Sequence, residues 1–247
     1  MKNNIYNRFK EKKGQIAVLI DPEKSNDENK LKEIIQKTEF AGIDYLFIGG
    51  STVSKKDFDF TIDYLSKHSK LPLVIFPGAH HQISEKADGL LYLSLLSGRN
   101  PDFLIGHHVQ SANELIKMDL EIIPTGYILI DGGNLSTVAY ISQTTPIPRD
   151  QTNIIKSTAI AGVLQGKKLL FFDAGSGASH SIPAEILNEL TFLNVPLIVG
   201  GGVKSINDIK KYREAGVNVI VIGNHIEENI DFLIDLKEYI YEKKHFS

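Results

Sequence analysis

Eight short runs rich in Val, Ile, Leu and Phe recur along this 247-residue chain, and most of them stop at a glycine or an aspartate. They are Gln15–Ile20, Asp44–Ile48, Leu73–Phe76, Gly89–Leu96, Ile122–Ile130, Lys168–Phe172, Pro196–Val199 and Val217–Ile222. Such runs, apolar at nearly every position, read as strands covered on both faces. Between most of them lie segments with helical spacing: Asn29–Phe40, Lys56–Lys67, Pro101–Met118, Gln151–Leu164, Pro183–Leu193, Ile206–Glu214 and Asp231–Tyr241. In the first of these, Leu31, Ile34, Ile35 and Thr38 share one face. Strand and helix alternating eight times, over roughly 250 residues, predict an α/β chain folded as a single (β/α)8 TIM barrel across 1–247 rather than an open doubly wound sheet.

One connection breaks the pattern. The segment AHHQISEKAD, Ala79–Asp88, joins the third and fourth runs. A parallel crossover normally takes a dozen residues or more, so this link is expected to be extended or to lack its helix. No linker or low-complexity tract interrupts the alternation.

Composition narrows the function classes. Net charge is −3, from 27 basic and 30 acidic residues, with no basic stripe to suggest nucleic acid. The chain has no cysteine, which excludes disulfides, thiolate zinc sites and cysteine nucleophiles and suits a cytoplasmic protein. The start, MKNNIYNRFKEKKGQ, lacks the apolar stretch of a signal peptide, and no run reaches the ~18 apolar residues of a membrane span.

In barrels of this kind the active site lies at the C-terminal ends of the strands. Those ends carry Asp21, Gly49-Gly50-Ser51-Thr52, Gly78, Ser94 and Ser97, Asp131, Asp173, Gly201-Gly202 and Gly223-Asn224. Glycine loops after the last strands let backbone N–H groups approach a phosphate, and a helix N-terminus behind them adds partial positive charge. Asp21, in LIDPEK, has Ser51 on the neighbouring strand end; a carboxylate with hydroxyl and carbonyl oxygens suits Mg²⁺. The other reading of Asp21 is a helix cap or an ion pair with Lys24. His80-His81 and His107-His108 are poor chelating pairs, since adjacent side chains diverge. Arg99 could meet a phosphate or be a surface charge.

These segments resemble a known family, the geranylgeranylglyceryl phosphate synthases and their heptaprenylglyceryl relatives. The similarity spans nearly the whole chain and rests on LIDPEK (19–24), FIGGS (47–51), FPG (76–78), SGRNPDFLIGHHV (97–109), PTGYILIDGG (124–133), DAGSGA (173–178), VGGGVKS (199–205) and IGN (222–224). The SGRNP segment is similar to the branch called group II. The resemblance implies a barrel whose third helix is replaced by an extended segment. It implies a prenyltransferase that joins sn-glycerol 1-phosphate to a polyprenyl diphosphate, expected to be geranylgeranyl diphosphate, with Mg²⁺ held by Asp21 and Ser51. Asp173, Asp21 and Lys24 are then the catalytic set. Phe171, Phe172, Asp173, Ala174, Gly175, Ser176, Gly177, Gly201, Gly202, Gly223 and Asn224 are the expected glycerol phosphate contacts. Relatives commonly read Tyr-Leu-Glu where this chain has Phe171-Phe172-Asp173, which removes one hydroxyl and shortens the acid by a methylene.

On this reading Asp173 orients and deprotonates the attacking hydroxyl, and Mg²⁺ on Asp21 steadies the departing diphosphate, with Lys24 adding a point charge. Leu90, Leu91, Tyr92, Leu93, Leu95, Leu96, Phe103 and Leu104 are candidates to line a groove for the prenyl chain. Apolar residues such as Phe103, Leu104 and Ile105 on an outer helix fit a homo-oligomer, and a lipid substrate fits transient contact with a membrane surface. Two alternatives share the phosphate loops. One is a phosphosugar isomerase or cyclase using Asp21 and Asp131 as acid and base; the other is a non-catalytic barrel that holds a phosphorylated metabolite.

Overall fold

The structure, a computed structural model, describes residues 4–223, 225–226 and 229–245. Eight parallel strands, β1 (Gln15–Ile20), β2 (Tyr45–Ile48), β3 (Leu73–Ile75), β4 (Gly89–Leu95), β5 (Glu121–Leu129), β6 (Leu169–Asp173), β7 (Leu197–Gly200) and β8 (Val219–Ile222), close in sequential order, with β8 pairing β1. Strand periodicity sorts their side chains. Tyr45, Phe47, Val74, Leu91, Tyr127, Phe171 and Val221 fill the barrel interior, while Val18, Leu46, Ile75, Leu90, Phe172, Val199 and Ile220 face the helical layer.

The outer helices are α2 (Glu28–Ala41), α3 (Lys55–His68), α4 (His107–Leu115), α5 (Thr137–Ser142), α6 (Thr152–Leu164), α7 (Ala184–Glu189), α8 (Ile206–Glu214) and α9 (Phe232–His245). Several start where a side chain caps the first turn: Asp27 for α2, Ser54 for α3, Ser136 for α5, and a reciprocal Ser205–Asp208 capping box for α8. The long helix expected over Pro101–Met118 forms without a break from Pro101 to Leu115, its first turns π-helical (Asp102–Gly106) before α4. Hydroxyls from the outer face of β4 bond carbonyls of this segment: Ser94 donates to Leu104 (3.3 Å) and Tyr92 to His108 (2.9 Å). The Pro183–Leu193 helix divides into α7 and a 3₁₀ turn, Thr191–Leu193.

A helix not expected from the polar N-terminus, α1 (Ile5–Glu11), plugs the bottom of the barrel. Ile5 and Phe9 are fully buried, and Phe9 meets Tyr45 edge-on at 5.0 Å. The Glu121 carboxylate accepts from the otherwise unpaired Ile5 N–H at 2.6 Å, a negative charge at the helix N-terminus.

Between β3 and β4 the chain forms turns and no helix among residues 76–88, as the short link requires. Buried Gln82 pins this segment to the β2 loop, donating to the Gly50 carbonyl at 2.9 Å and accepting from the Gly78 N–H at 3.0 Å. The approach is close enough that a Cβ on Gly49 would lie 1.9 Å from the Phe76 carbonyl oxygen.

Candidate active site

At the C-terminal rim the strand ends enclose a cavity of about 280 Å³. Asp21, Lys24 and Ser51 form its wall on the β1–β2 side; Ser176, Gly177, Gly201, Gly202 and Gly223 form it on the β6–β8 side, with Phe171 and Asp173 between. Asn224 lies outside the described residues. Positive φ angles at Gly201 (76°) and Gly202 (70°) turn the β7 loop into the N-terminus of α8. A Cβ on Gly201 would stand 2.6 Å from Asp173 Oδ1, so only glycine fits beside that carboxylate.

Asp173 ends β6, its side chain facing the interior. Oδ2 accepts from the Tyr127 hydroxyl at 2.5 Å and Oδ1 from the Gly175 N–H at 2.8 Å. Burial pushes the carboxyl above the ordinary carboxylate range, and the two donors pull part of the way back. Burial, with the adjacent Asp173 charge, raises the Tyr127 phenol well above its usual value, so it keeps its proton and donates.

Three expected glycerol phosphate contacts fall elsewhere. Phe172 points outward into the helical layer, because it alternates with inward-facing Phe171 and Asp173. The Ala174 side chain packs in that same layer, and its N–H bonds the Gly200 carbonyl. Gly175 gives its N–H to Asp173 and not to the cavity. Thr52, from the β2 loop already expected at this rim, and His225 also line the cavity, as do two residues to which the sequence analysis gave no role, Tyr127 and Lys204. Lys204 was legible, since it sits inside VGGGVKS.

On the β1–β2 side, Asp21 Oδ1 accepts from the Glu23 N–H at 3.0 Å, and Oδ2 lies 3.9 Å from Lys24 Nζ. Thr52 donates to the Glu23 carboxylate at 2.6 Å, tying the two loops together. A Cβ on Gly50 would stand 3.0 Å from Asp21 Oδ1, which puts the carboxylate against the chain segment leading into Ser51.

A second, apolar cavity of about 90 Å³ adjoins the first and shares Gly50, Ser51, Phe76, Tyr127 and Val138 with it. It opens where the extended segment replaces a helix. Leu90, Tyr92, Leu93, Leu95 and Phe103 line it, whereas Leu91 is inside the barrel core and Leu96 and Leu104 are not in its wall. Of the two histidine pairs, His80, His107 and His108 also line this apolar cavity: His80 stacks on His107 at 5.7 Å, His81 bonds the Val53 carbonyl, and His108, its imidazole pushed below the usual range by burial, bonds the Leu93 carbonyl.

Arg99 folds back onto the Leu96 and Gly98 carbonyls of its own loop and takes no part in either cavity. Asp131 is exposed, accepts from the Gly133 N–H and does not line the rim cavity. The acid–base pair of the isomerase alternative is therefore not assembled.

A model of the PcrB family matches residues 7–239. The chain belongs to the PcrB family. The geranylgeranylglyceryl phosphate synthase of Chitinophaga pinensis is 42% identical over 246 residues, covering 98% of this chain and 97% of that protein. The one from Zunongwangia profunda is 45% identical over 213 residues, 86% of this chain and 90% of that protein. Among solved structures, (S)-3-O-geranylgeranylglyceryl phosphate synthase from Thermoplasma acidophilum, in complex with its substrate sn-glycerol-1-phosphate, superposes with a TM-score of 0.88 at 30% identity. That superposition covers 98% of this chain and 97% of the other.

Proposed function

We propose that this chain is a prenyltransferase that joins sn-glycerol 1-phosphate to a polyprenyl diphosphate, geranylgeranyl diphosphate first among them, forming an ether and releasing diphosphate. The observation that carries the reading is the adjacency of the two cavities. A polar one ends at a buried carboxylate, an apolar one runs out through the gap left by the missing helix, and they share the wall made by Gly50, Ser51, Phe76 and Tyr127. A water-soluble phosphate and a long hydrocarbon can thus meet at one point. The family relatives, named for this activity, support the same reading.

In the transfer, the glycerol C3 hydroxyl oxygen forms a bond to C1 of the prenyl group as the bond from C1 to the diphosphate oxygen breaks. The proton passes to Asp173, whose raised proton affinity makes it a better base near neutral pH than an exposed carboxylate. Ser176, Gly177, Gly201, Gly202 and Lys204 surround the position for the glycerol phosphate. Phe76 and Phe171, stacked at 4.7 Å, with Tyr127 edge-on to both, present π-rich walls beside the reacting carbon and keep water out.

Asp21 and Ser51 fit Mg²⁺ by the chemistry of their donors: one carboxylate and one hydroxyl, both hard oxygens on the same cavity wall. Among the described residues no cluster of three or more His, Cys, Asp or Glu side chains forms a metal cage, so water and diphosphate oxygens would complete the shell. Bound there, the ion would supply Lewis-acid neutralisation of the leaving diphosphate. Lys24 adds charge to the same wall.

Exposed apolar residues on α4 (Val109), just after it (Ile116), on α5 (Tyr140) and on α6 (Ile154 and Leu164) are surface that a second copy would cover. A homo-oligomer in sedimentation, dissociated by Leu164→Glu, is expected. No helix among the described residues is long and apolar enough to cross a membrane.

The test is transfer from labelled prenyl diphosphates of several lengths to each glycerol phosphate enantiomer, with and without Mg²⁺. Ether product and diphosphate should form from the sn-1 isomer. Tight glycerol phosphate binding with no product would instead favour the binding-barrel alternative.

A further inference from the structure

Tyr127 stands where the two cavities meet, and no part of the reaction yet requires its hydroxyl. It is almost fully buried, and its ring is fixed by edge-on contacts at 5.7 Å to both Phe76 and Phe171. The β5–β6 register places it opposite Phe171, one inward position below Asp173. From there the ring points up the barrel, and the hydroxyl meets Asp173 Oδ2 at 2.5 Å.

We propose that Tyr127 is a positioning residue for prenyl transfer: its hydroxyl, with the Gly175 N–H, fixes the Asp173 carboxylate in the plane from which it receives the glycerol proton. The inference rests on the role proposed for Asp173. Three observations support it. The carboxylate has two donors, one on each oxygen, and no Lys or Arg pairs with it among the described residues. Each oxygen therefore keeps a lone pair for the substrate while its rotation is blocked. The phenol is the donor in this pair, because burial and the adjacent carboxylate keep it protonated while an ionised Asp173 has no proton to give. Last, the Tyr127 hydroxyl works against burial in setting the proton affinity of Asp173, so losing it leaves burial less opposed.

The experiment is the pH dependence of single-turnover transfer. In Tyr127→Phe the ring and its aromatic contacts stay, and only the hydroxyl goes. The acid limb, which reports ionised Asp173, should move to higher pH by about one unit. The rate on the plateau should fall roughly tenfold or more, with the Kd for glycerol phosphate changed by less than about threefold. Replacing Tyr127 by 3-fluorotyrosine, a stronger donor of nearly the same shape, should move the limb the other way. An acid limb that stays in place in either variant, whatever the rate, overturns the proposal, and if Tyr127→Phe does not fold, the fluorinated protein decides alone. Failure of the underlying reading looks different: there Asp173→Asn would retain turnover.

Discussion

At the N-terminal end of the barrel, Gln15, Tyr45 and Asn218 direct their hydrogen bonds at one another and at the carbonyls closing α1. Tyr45 donates to Gln15 at 2.6 Å, Gln15 donates to the Arg8 and Lys12 carbonyls, and Asn218 donates to the Phe9 carbonyl at 2.8 Å. At the C-terminal end, Asp173 is just as deeply placed but faces a cavity, surrounded by glycines with left-handed backbone. The same strands run through both ends. The plug satisfies its polar groups internally and so contributes stability; the rim holds a carboxylate away from water, keeps its proton affinity high, and so gives up stability for chemistry.

The sharpest break between the ends is Asp173→Asn. Turnover should fall by about 10²–10⁴-fold, while the melting temperature stays the same or rises. Assay and thermal scan on one preparation check both. Phe9→Ala should do the reverse: unfolding in urea should show a loss of about 3–5 kcal/mol, with kcat unchanged below the transition. Gly201→Ala tests whether the rim tolerates a side chain. Its left-handed backbone and the 2.6 Å approach to Asp173 should cost roughly 1–3 kcal/mol and weaken glycerol phosphate binding, read by calorimetry. Tyr45→Phe, which leaves the Gln15 carbonyl oxygen without its donor, should cost about 1–3 kcal/mol in the same urea experiment and leave transfer intact.

The smallest effect concerns pH. Folding raises the proton affinity of Asp173, so between the ordinary carboxylate range and that raised value the folded state binds more protons than the unfolded one. Stability therefore declines as pH rises through this window and is flat above it. Asp173→Asn should remove that part of the slope when urea midpoints are compared across pH.

The rim was readable from sequence because its signals are local: a strand stops, and glycines or an aspartate follow. Asp21, Ser51, Gly201 and Gly202 needed only that pattern. The plug was not, because Ile5 and Phe9 are two apolar residues, one helical turn apart, in an otherwise polar stretch, and their burial depends on a barrel mouth formed by distant segments. Tyr127 was hidden for a related reason. Inside the apolar run of β5 it looks like any core aromatic, and only closure of the sheet shows that its hydroxyl reaches Asp173. Gln82 belongs to the same class, a buried amide whose partners, Gly50 and Gly78, come from other strand ends. The outward turn of Phe172 was within reach of sequence, since a strand that ends with Asp173 facing inward must put its neighbour on the other face.

In the proposed reaction one phosphate is held by the late glycine loops while its glycerol hydroxyl reaches Asp173. A crystal structure with sn-glycerol 1-phosphate bound tests it directly. The proposed reaction requires the phosphate beside Gly177, Gly201 and Gly202 and the C3 hydroxyl within hydrogen-bonding distance of Asp173. A phosphate seated at Asp21 and Ser51, or a hydroxyl turned away from Asp173, would contradict it.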